Sequence, residues 1–435
     1  MKNMEKVKRN PLRGMMEAEI CRRNFLSIEN PYGVSILKIL RRSFLLILFI
    51  SQFSLFNSAE AQGFSFDWHG FVNPHYYADS RSVVGGREDM MLFFPKPIAK
   101  DSTGRDINDG WKADMLAITA RLGLRINGPE MLGAKTSGYI EGDFTGATND
   151  NINTLRLRHA YIDMDWQGRH RLLMGQYWYA MVVHEIMPMT NPLNMGSPFH
   201  CYARQPQVRY EYRLGGFEAV AVAQWQLDNK SQGLLNGDEA KSTLFARNSL
   251  VPELTTQLRY RTGGLFVGAA VNLKSIQPVV ATVRNAPTLD TKHHSLTYSI
   301  FGSYRFDGFT VKAQTLLNNS LYEGCSLGGY LMLADSSFLD WHFNSVWLDV
   351  ERNKGHLRPG LFLGYAKNAD YGQHADAMHT FGLGHDIEYL WRVQPRLTYT
   401  TLTGLSFTAE AEYTCAGYKD PVGNLRLSLS IVYAF

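Results

Sequence analysis

The chain ends on the eleven residues LRLSLSIVYAF, Leu425–Phe435, in which large apolar side chains alternate with small or polar ones. The odd positions carry Leu, Ile, Tyr and Phe, and the even positions are small or polar apart from Val432. Successive side chains of a β-strand point to opposite faces of the sheet. This period of two therefore predicts a strand with one continuous apolar face.

The same alternation recurs along the chain beyond residue 62 and predicts sixteen strands. In the fourth and twelfth runs, Leu155–Trp166 and Leu339–Glu351, the apolar residues switch between odd and even positions midway. This change of parity predicts a β-bulge or a wrong register. The sixteen runs begin near Phe64, Met115, Thr136, Thr154, Arg171, Val208, Phe217, Leu254, Leu265, Leu296, Phe309, Leu339, Leu357, Ile387, Leu405 and Leu425.

The connections between these runs alternate in length. Short ones hold turn pairs such as Gly215-Gly216 and Asp307-Gly308, and long polar ones include residues 80–112 and 226–251. Outer-membrane barrels have short periplasmic turns, long external loops and an even number of strands. A soluble β-sandwich also alternates, but its polar face points to water and its loops rarely alternate in length. The sequence therefore predicts an all-β fold, a single transmembrane antiparallel β-barrel of sixteen strands over residues 62–435.

Residues 1–61 have the pattern of an N-terminal extension and a signal peptide. Arg41 and Arg42 precede the apolar run Phe44–Phe56, and Ala59-Glu60-Ala61 follows as an A-x-A cleavage site. We expect cleavage before Gln62. The residues upstream of Arg41 are unusual for a signal peptide, and we interpret them as the result of a start codon assigned too early.

The leader also carries the excess positive charge. The whole chain has 44 Lys and Arg against 40 Asp and Glu. The first 61 residues hold ten of the basic and five of the acidic ones, which leaves 34 against 35. The exported part is therefore near neutral, and nucleic-acid binding has no global support.

Nothing in the chain has the pattern of a catalytic centre. The sequence has no G-x-S-x-G or H-E-x-x-H motif, and His159 near Asp163 and Asp165 fits a polar strand face equally well. Three cysteines remain after the leader, Cys201, Cys325 and Cys415, and their wide spacing predicts free thiols. We therefore expect no enzymatic activity, and an outer-membrane hydrolase or a structural or adhesin barrel is the alternative to a channel.

Two polar clusters lie in the long connections. Asp101, Asp106, Asn108 and Asp109 are similar to a calcium loop without matching its twelve-residue pattern. A second cluster contains histidines, which are common in exposed loops without binding metal. Its members are His374, Asp376, His379 and His385. The sequence predicts no cofactor, with calcium in the external loops as the open alternative.

Four stretches together resemble a known family. They are LAITARLGL at Leu116–Leu124, GYIEGDFTG at Gly138–Gly146, LRLRHAYIDMDW followed by LLMGQYW within Leu155–Trp178, and SPFHCYARQPQVRYEYRLG at Ser197–Gly215. They resemble the porin-like outer-membrane proteins of Bacteroidota, which are similar to DcaP-like and phosphate-selective trimeric porins. The resemblance implies a homotrimer in the outer membrane of a Gram-negative bacterium that lets small hydrophilic solutes diffuse.

The resemblance also assigns roles to particular segments. It implies that the third long loop, residues 183–205, folds towards the pore, with His200 and Arg204 as constriction residues. It further implies that the barrel-assembly machinery reads the last strand, which ends in the aromatic residue Phe435.

If the apolar faces meet lipid, the opposite faces line the pore. Arg and Lys in a pore favour anions, so a surplus of basic residues on these faces predicts an anion preference. The alternative is that basic and acidic residues neutralise one another across adjacent strands. The predicted pore-lining residues are Arg121, Arg125, Glu141, Asp143, Arg209, Arg213, Arg259, Arg261, Arg305, Lys312, Arg358, Arg392, Arg396 and Arg426.

Overall fold

The computed structural model describes residues 63–435, except for residues 192, 194, 374 and 375. The predicted signal peptide and its cleavage site before Gln62 lie outside the described residues. Within the described part of the chain, no helix is both long enough and apolar enough to span a membrane.

The large sheet contains eighteen strand segments, and two pairs of them continue each other across a short break. The segments therefore form sixteen strands in chain order. These are β1 (Ser65–Val72 and His75–Arg81), β2 (Asp109–Leu116 and Arg121–Asn127), β3 (Lys135–Asp143), β4 (Arg156–Trp166), β5 (His170–Trp178), β6 (Arg204–Leu214), β7 (Phe217–Gln224), β8 (Glu253–Thr262), β9 (Leu265–Ile276), β10 (His293–Phe306), β11 (Phe309–Asn319), β12 (Phe343–Arg352), β13 (Leu357–Asn368), β14 (Tyr389–Thr400), β15 (Leu405–Ala416) and β16 (Val422–Ala434).

Each strand pairs antiparallel with the next, and β16 pairs with both segments of β1. Phe71 lies opposite Ala434 and Asp79 opposite Arg426, so the sheet closes on itself. The predicted all-β barrel of sixteen antiparallel strands is therefore confirmed.

Alternation along the strands separates an outer from an inner face. In β16, Leu427, Leu429 and Ile431 are exposed, whereas Arg426 and Ser428 are buried. The exposed series is apolar in strand after strand, which is the outer surface of a barrel that meets lipid. The closing strand satisfies its backbone groups against β1 and β15, as a strand in lipid must.

The two changes of parity have different causes. In β4, Glu141 of β3 lies opposite His159 whereas Gly142 lies opposite Leu157, so the predicted bulge is confirmed. The predicted twelfth start near Leu339 is wrong, because β12 begins at Phe343. Leu339 belongs to a separate loop strand, Phe338–Trp341, and this strand and β12 gave a single broken pattern because only His342 separates them.

Seven connections of two to seven residues lie at one end of the barrel, which we call the turn end. The opposite end, the loop end, carries eight connections. Loops one to eight are residues 82–108, 144–155, 179–203, 225–252, 277–292, 320–342, 369–388 and 417–421. Their regular elements are the strands Val83–Gly86, Met91–Pro95, Gln232–Leu235, Asp238–Lys241, Val279–Val280, Gly328–Met332, Phe338–Trp341 and His379–Leu383, the helix Leu244–Asn248, and the 3-10 turns Asn149–Asn151, His184–Ile186 and Tyr322–Gly324.

The inner face of the barrel is not polar throughout. Phe266, Phe301, Trp347 and Phe362 belong to barrel strands and are buried in one apolar cluster with residues of loop three. Burial of this surface against the loop contributes roughly 25 cal/mol per Å² of apolar area. Loop three therefore fills part of the lumen as a packed core would.

Candidate functional site: the lumen and loop three

Loop three runs across the lumen and bonds to strands on several sides of the barrel. Lys312 Nζ of β11 donates to the carbonyl of Met187 at 3.1 Å, and Ser345 Oγ of β12 donates to that of Phe199 at 2.7 Å. Asn191 donates its N–H to Glu410 Oε2 of β15 at 3.1 Å. Contacts of this kind hold the loop inside the barrel rather than above it.

Of the two predicted constriction residues, His200 lies inside the loop. Its Nε2 is 2.6 Å from the carbonyl oxygen of Met195, and its ring lies 5.5 Å from that of Trp347. Burial lowers its pKa to about 4, so the ring is neutral at pH 7. The described cavities are not lined by His200.

Arg204 is the first residue of β6, so loop three ends one residue before it. Its guanidinium carbon lies 4.6 Å from the centre of the Trp178 ring and 5.4 Å from that of Tyr202. The side chain is buried, and within the described part of the chain it forms no ion pair and its Nη1 has no hydrogen-bond acceptor. Arg204 is therefore a buried cation held by aromatic faces instead of a carboxylate.

A basic cluster lies beside Arg204. Arg158 contacts Glu141 at 2.6 Å and Asp143 at 2.8 Å, and Arg156 contacts Asp143 at 2.8 Å. Arg121 Nε is 3.7 Å from Glu141. Two carboxylates thus face three guanidinium groups before Arg204 is added, so this side of the lumen has surplus positive charge.

Two cavities meet at this cluster. The one nearer the loop end has about 70 Å³ and is lined in part by Arg156 and Arg204. The one nearer the turn end has about 360 Å³ and is lined in part by Arg121. Both are lined by Leu193 and Tyr202, so these two side chains of loop three stand between them.

Tyr202 is close to the basic cluster, and the positive charge of that cluster also affects the pKa of its phenol. Burial raises the pKa of its phenol, but the guanidinium groups of Arg204, Arg158 and Arg121 outweigh burial and hold the pKa below its ordinary value. This phenol is the clearest mark of positive potential between the two cavities.

A third cavity of about 380 Å³ lies at the turn end under the His184–Ile186 turn of loop three. Its charges are mixed: Arg209 pairs with Glu211 at 2.6 Å, and Arg259 of β8 reaches Glu185 of loop three at 2.8 Å. The other charged residues that line it are Arg171, Arg213, Glu218 and Arg261. An adjoining cavity of about 170 Å³ is lined by Arg305 and Lys312.

Several predicted pore-lining arginines are held in buried ion pairs. Arg392 contacts Glu412 at 3.0 Å, Arg396 contacts Asp349 at 2.7 Å, and Arg426 contacts Asp79 at 2.6 Å. Two others differ. Arg358 donates to Thr400 Oγ1 at 2.6 Å, and Arg125 is exposed above the Tyr139 ring at 5.3 Å. The sequence did not identify Arg156, Arg158, Arg171 or Asp349, and the surplus of positive charge is therefore local rather than general.

The candidate metal ligands have other partners. Asp101 Oδ1 accepts N–H groups from Thr103 and Arg105, and Asp106 is paired with Arg81 at 2.8 Å. Among the described residues, no group of three or more His, Cys, Asp or Glu is arranged to hold a metal ion, and His374 lies outside them. Calcium in the loops stays a prediction. Cys201, Cys325 and Cys415 are free thiols in the structure.

No family model and no curated protein matches the sequence. Among solved structures, the outer membrane channel DcaP of Acinetobacter baumannii superposes with a TM-score of 0.63 at 20% identity, over 86% of this chain and 97% of that one. The trimer form of OmpT, an outer membrane protein of Vibrio cholerae, gives 0.52 at 12% identity, over 86% and 99%. OmpF of Salmonella typhi, solved with daunomycin, gives 0.53 at 11% identity, over 86% and 99%.

These likenesses identify the class of fold. The chain has the fold of a sixteen-stranded outer-membrane porin, and the expected resemblance to DcaP is confirmed at that level. An origin in Bacteroidota stays a prediction.

Proposed function

We propose that the protein is a porin of the Gram-negative outer membrane, a passive diffusion channel for small hydrophilic solutes. The observation that carries the proposal is the lumen itself. Cavities of about 70 and 360 Å³ approach the two ends of the barrel and are separated by the side chains of Leu193 and Tyr202. A structural barrel has no need of cavities on both sides of one partition.

The test is conductance of the purified protein in planar bilayers. Discrete conductance steps would support a channel, and a protein that folds and inserts but never conducts would overturn the proposal. The alternatives, a barrel enzyme or an adhesin, would then be preferred.

We further propose that the channel prefers anions. The partition between the cavities lies beside Arg121, Arg156, Arg158 and Arg204. Among the described residues, their ion pairs are with Glu141 and Asp143 alone, and Asp228 is a further carboxylate at the smaller cavity. Low-dielectric walls focus the electric field of these positive charges and so raise the local concentration of anions. The reversal potential in a salt gradient tests this directly, and a value that indicates cation selectivity would contradict it.

We propose a homotrimer in which β3–β5 face the neighbouring copies. Within the described part of these three strands, no aromatic residue is as exposed as Tyr298, Tyr365 and Tyr433 elsewhere on the barrel, although Phe144 directly after β3 is exposed. Aromatic residues mark lipid interfaces, so their scarcity on β3–β5 favours contact with protein. The segment Asp109–Leu116 adds an open edge beside β3, because the described strands pair with it only through His75–Arg81.

We also propose that the barrel-assembly machinery engages the last strand. Phe435 is exposed, and its backbone pairs with that of Gly70 in β1 at 3.0 Å. The strand that ends in Phe435 is therefore the one that closes the barrel. Replacing Phe435 by Ala should lower the yield of inserted protein in vivo without changing refolding into detergent, and equal yields in vivo would argue against the proposal.

A further inference from the structure

Loops four to seven form one structure over the loop end, which we call the cap. Its two small sheets share an apolar cluster that includes Leu234, Phe245 and Tyr330. Tyr330 Oη of loop six donates to the carbonyl of Gln232 in loop four at 2.7 Å. The cap therefore packs as a unit instead of as four separate loops.

The cap also borders the candidate path for solutes. The carbonyl of Gly324 in loop six accepts the N–H of Tyr202 at 2.6 Å. Asn229 of loop four and Cys325 of loop six line the cavity of about 70 Å³ at the loop end. Movement of the cap would therefore change the walls of that cavity.

The ion pairs that tie the cap together use histidine. His293, at the start of β10, contacts Asp340 of loop six at 2.8 Å. His342 of loop six contacts Asp370 of loop seven at 3.1 Å, and also lies 3.5 Å from Asp340.

A third pair links loop seven to loop four, since His379 contacts Glu239 at 2.9 Å. Across the described residues, the ion pairs that join one cap loop to another are of this kind. A lysine pair, Lys274 with Glu323 at 2.9 Å, joins loop six to β9.

Other charged groups near these histidines are few. Lys274 acts on Asp340 from β9, and the aromatic rings of Tyr330 and Phe338 pack against His293. The ring of Phe381 stacks on His379. The charge on each histidine is therefore opposed chiefly by its own carboxylate partner.

Histidine is the side chain whose charge changes near neutral pH, so the contacts of His342 depend on pH. Burial lowers the pKa of His342, but its hydrogen bonds to Asp340 and Asp370 outweigh burial and raise it. Its stabilising contribution is complete below the unfolded pKa of about 6.5 and is lost as the pH rises through the raised value.

The carboxylate partner sets the acid limit. Burial raises the pKa of Asp340, but its bonds to His293 and His342 outweigh burial and lower the pKa to about 2. Its contribution is present above the unfolded pKa of about 4 and is lost as the pH falls towards 2. The contacts are therefore strongest between about pH 4 and 6.5.

We propose that the cap is a pH-sensitive latch, in which the pairs of His342 with Asp340 and Asp370 hold loop six to loop seven in mild acid and release them above neutrality. Because His342 belongs to loop six and Asp370 to loop seven, loss of the charge on His342 frees these two loops from one another. The Lys274–Glu323 pair keeps loop six anchored to the barrel throughout.

Hydrogen exchange of the full protein in detergent tests the latch without reference to conduction. After correction for intrinsic rates, amides of residues 320–342 and 376–388 should open more at pH 8 than at pH 6 by about fivefold, the change that loss of about 1 kcal/mol produces. Amides of the barrel strands should not change. Equal protection of the cap at both pH values would overturn the proposal.

Variants separate the latch from a general effect of pH. His342→Gln should leave the cap loosened at both pH values, and Asp370→Asn, which removes the partner on loop seven, should do the same if His342→Gln does not fold. His356 lies at the turn end, where its Nδ1 contacts the carbonyl of Thr400. His356→Gln should therefore retain the wild-type pH dependence, and a loss of that dependence would contradict the latch.

A second experiment rests on the proposed function and is read separately. Raising the pH only in the chamber that faces the loop end should increase channel fluctuations, whereas raising it on the turn side should not. If the protein did not conduct but its cap amides still exchanged in a pH-dependent way, the proposed channel would be refuted and the latch would still be supported. The reverse result, fluctuations that respond from the turn side alone, would refute the latch.

Discussion

The ring of Phe199 in loop three occupies the space beside the bare Cα of Gly364 in β13. A Cβ at position 364 would lie 2.6 Å from Cδ2 of that ring, well inside van der Waals contact. Phe199 is fully buried and also packs near Phe362, with ring centres 6.1 Å apart. The missing side chain of Gly364 is therefore what lets loop three sit against the barrel wall.

Enlarging residue 364 should displace the loop. We expect Gly364→Val to cost about 1–3 kcal/mol of unfolding free energy, because an overpacked site must shift its neighbours. The conductance should rise or become unsteady, since Phe199 is forced away from the wall. Gly138→Ala is the control, because a Cβ there meets nothing closer than 3.9 Å. Wild-type unfolding and conductance in Gly364→Val would refute this role.

Neutralising the surplus positive charge beside the partition should weaken anion selectivity. Changing Arg121 and Arg204 together to Ser should move the reversal potential towards cations, and adding Arg125→Ser should add less because Arg125 is exposed. The shift should shrink in concentrated salt, because the Debye length falls from about 10 Å at 0.1 M to about 3 Å at 1 M. Leu122→Val on the outer face should change nothing, and an unchanged potential in the double variant would count against the site.

Tyr202 should limit the width of the path. Tyr202→Ala removes the ring between the two cavities and should raise single-channel conductance, whereas Tyr202→Phe keeps the volume and should not. Tyr365→Ala is a matched truncation on the outer face, where the side chain is exposed. Equal conductance of Tyr202→Ala and wild type would place the constriction elsewhere.

Asp349 should be essential to the stability of the barrel. It is fully buried, accepts both terminal nitrogens of Arg396 at 2.7 and 3.1 Å, and accepts the N–H of Met189 in loop three at 3.3 Å. Asp349→Asn leaves Arg396 with the longer contact to Glu351, at 3.4 Å, and should cost about 3 kcal/mol in denaturant unfolding. Asp307→Asn, at an exposed turn beside Lys354, should cost at most about 1 kcal/mol. Similar losses in the two variants would contradict this expectation.

The outer face of β3 should report on assembly. Ile140 on β3 and Val346 on β12 are both half-exposed and apolar. A tryptophan is accepted by lipid but not by a close protein interface, so Ile140→Trp should yield monomers and Val346→Trp should not. Native mass analysis in detergent measures the difference. Trimers in both variants would place the interface on other strands.

The sequence predicted the outer face of the barrel well because lipid demands apolar residues at every second position. Leu427, Leu429 and Ile431 are examples, because each is exposed on the outer face and must be apolar regardless of what fills the lumen. The inner face has no such demand. Trp347 and Phe362 point inward but pack on loop three, so β12 and β13 carry apolar residues on both faces and periodicity alone cannot tell which side they line.

The charged site was predicted only in part for similar reasons. Because of the bulge in β4, the inward residues are even-numbered before it, as for Arg156 and Arg158, and odd-numbered after it. A strict alternation along the whole strand therefore did not identify Arg156 and Arg158 as inward-facing. The carboxylate partners of Arg396 and Arg426 come from strands distant in sequence, so neutralisation of these charges was not visible. Arg204 was found, but its aromatic surroundings depend on the path of loop three through the lumen.

Closure of the barrel has a consequence for how the chain acquires its structure. Arg426 and Asp79 are bonded although 347 positions separate them. Contacts of such separation form slowly, since the entropy of closing the loop is lost before the contact stabilises anything. No N-terminal fragment can therefore be a finished barrel, and the polypeptide must be kept from aggregating as an open sheet until its last residues are available.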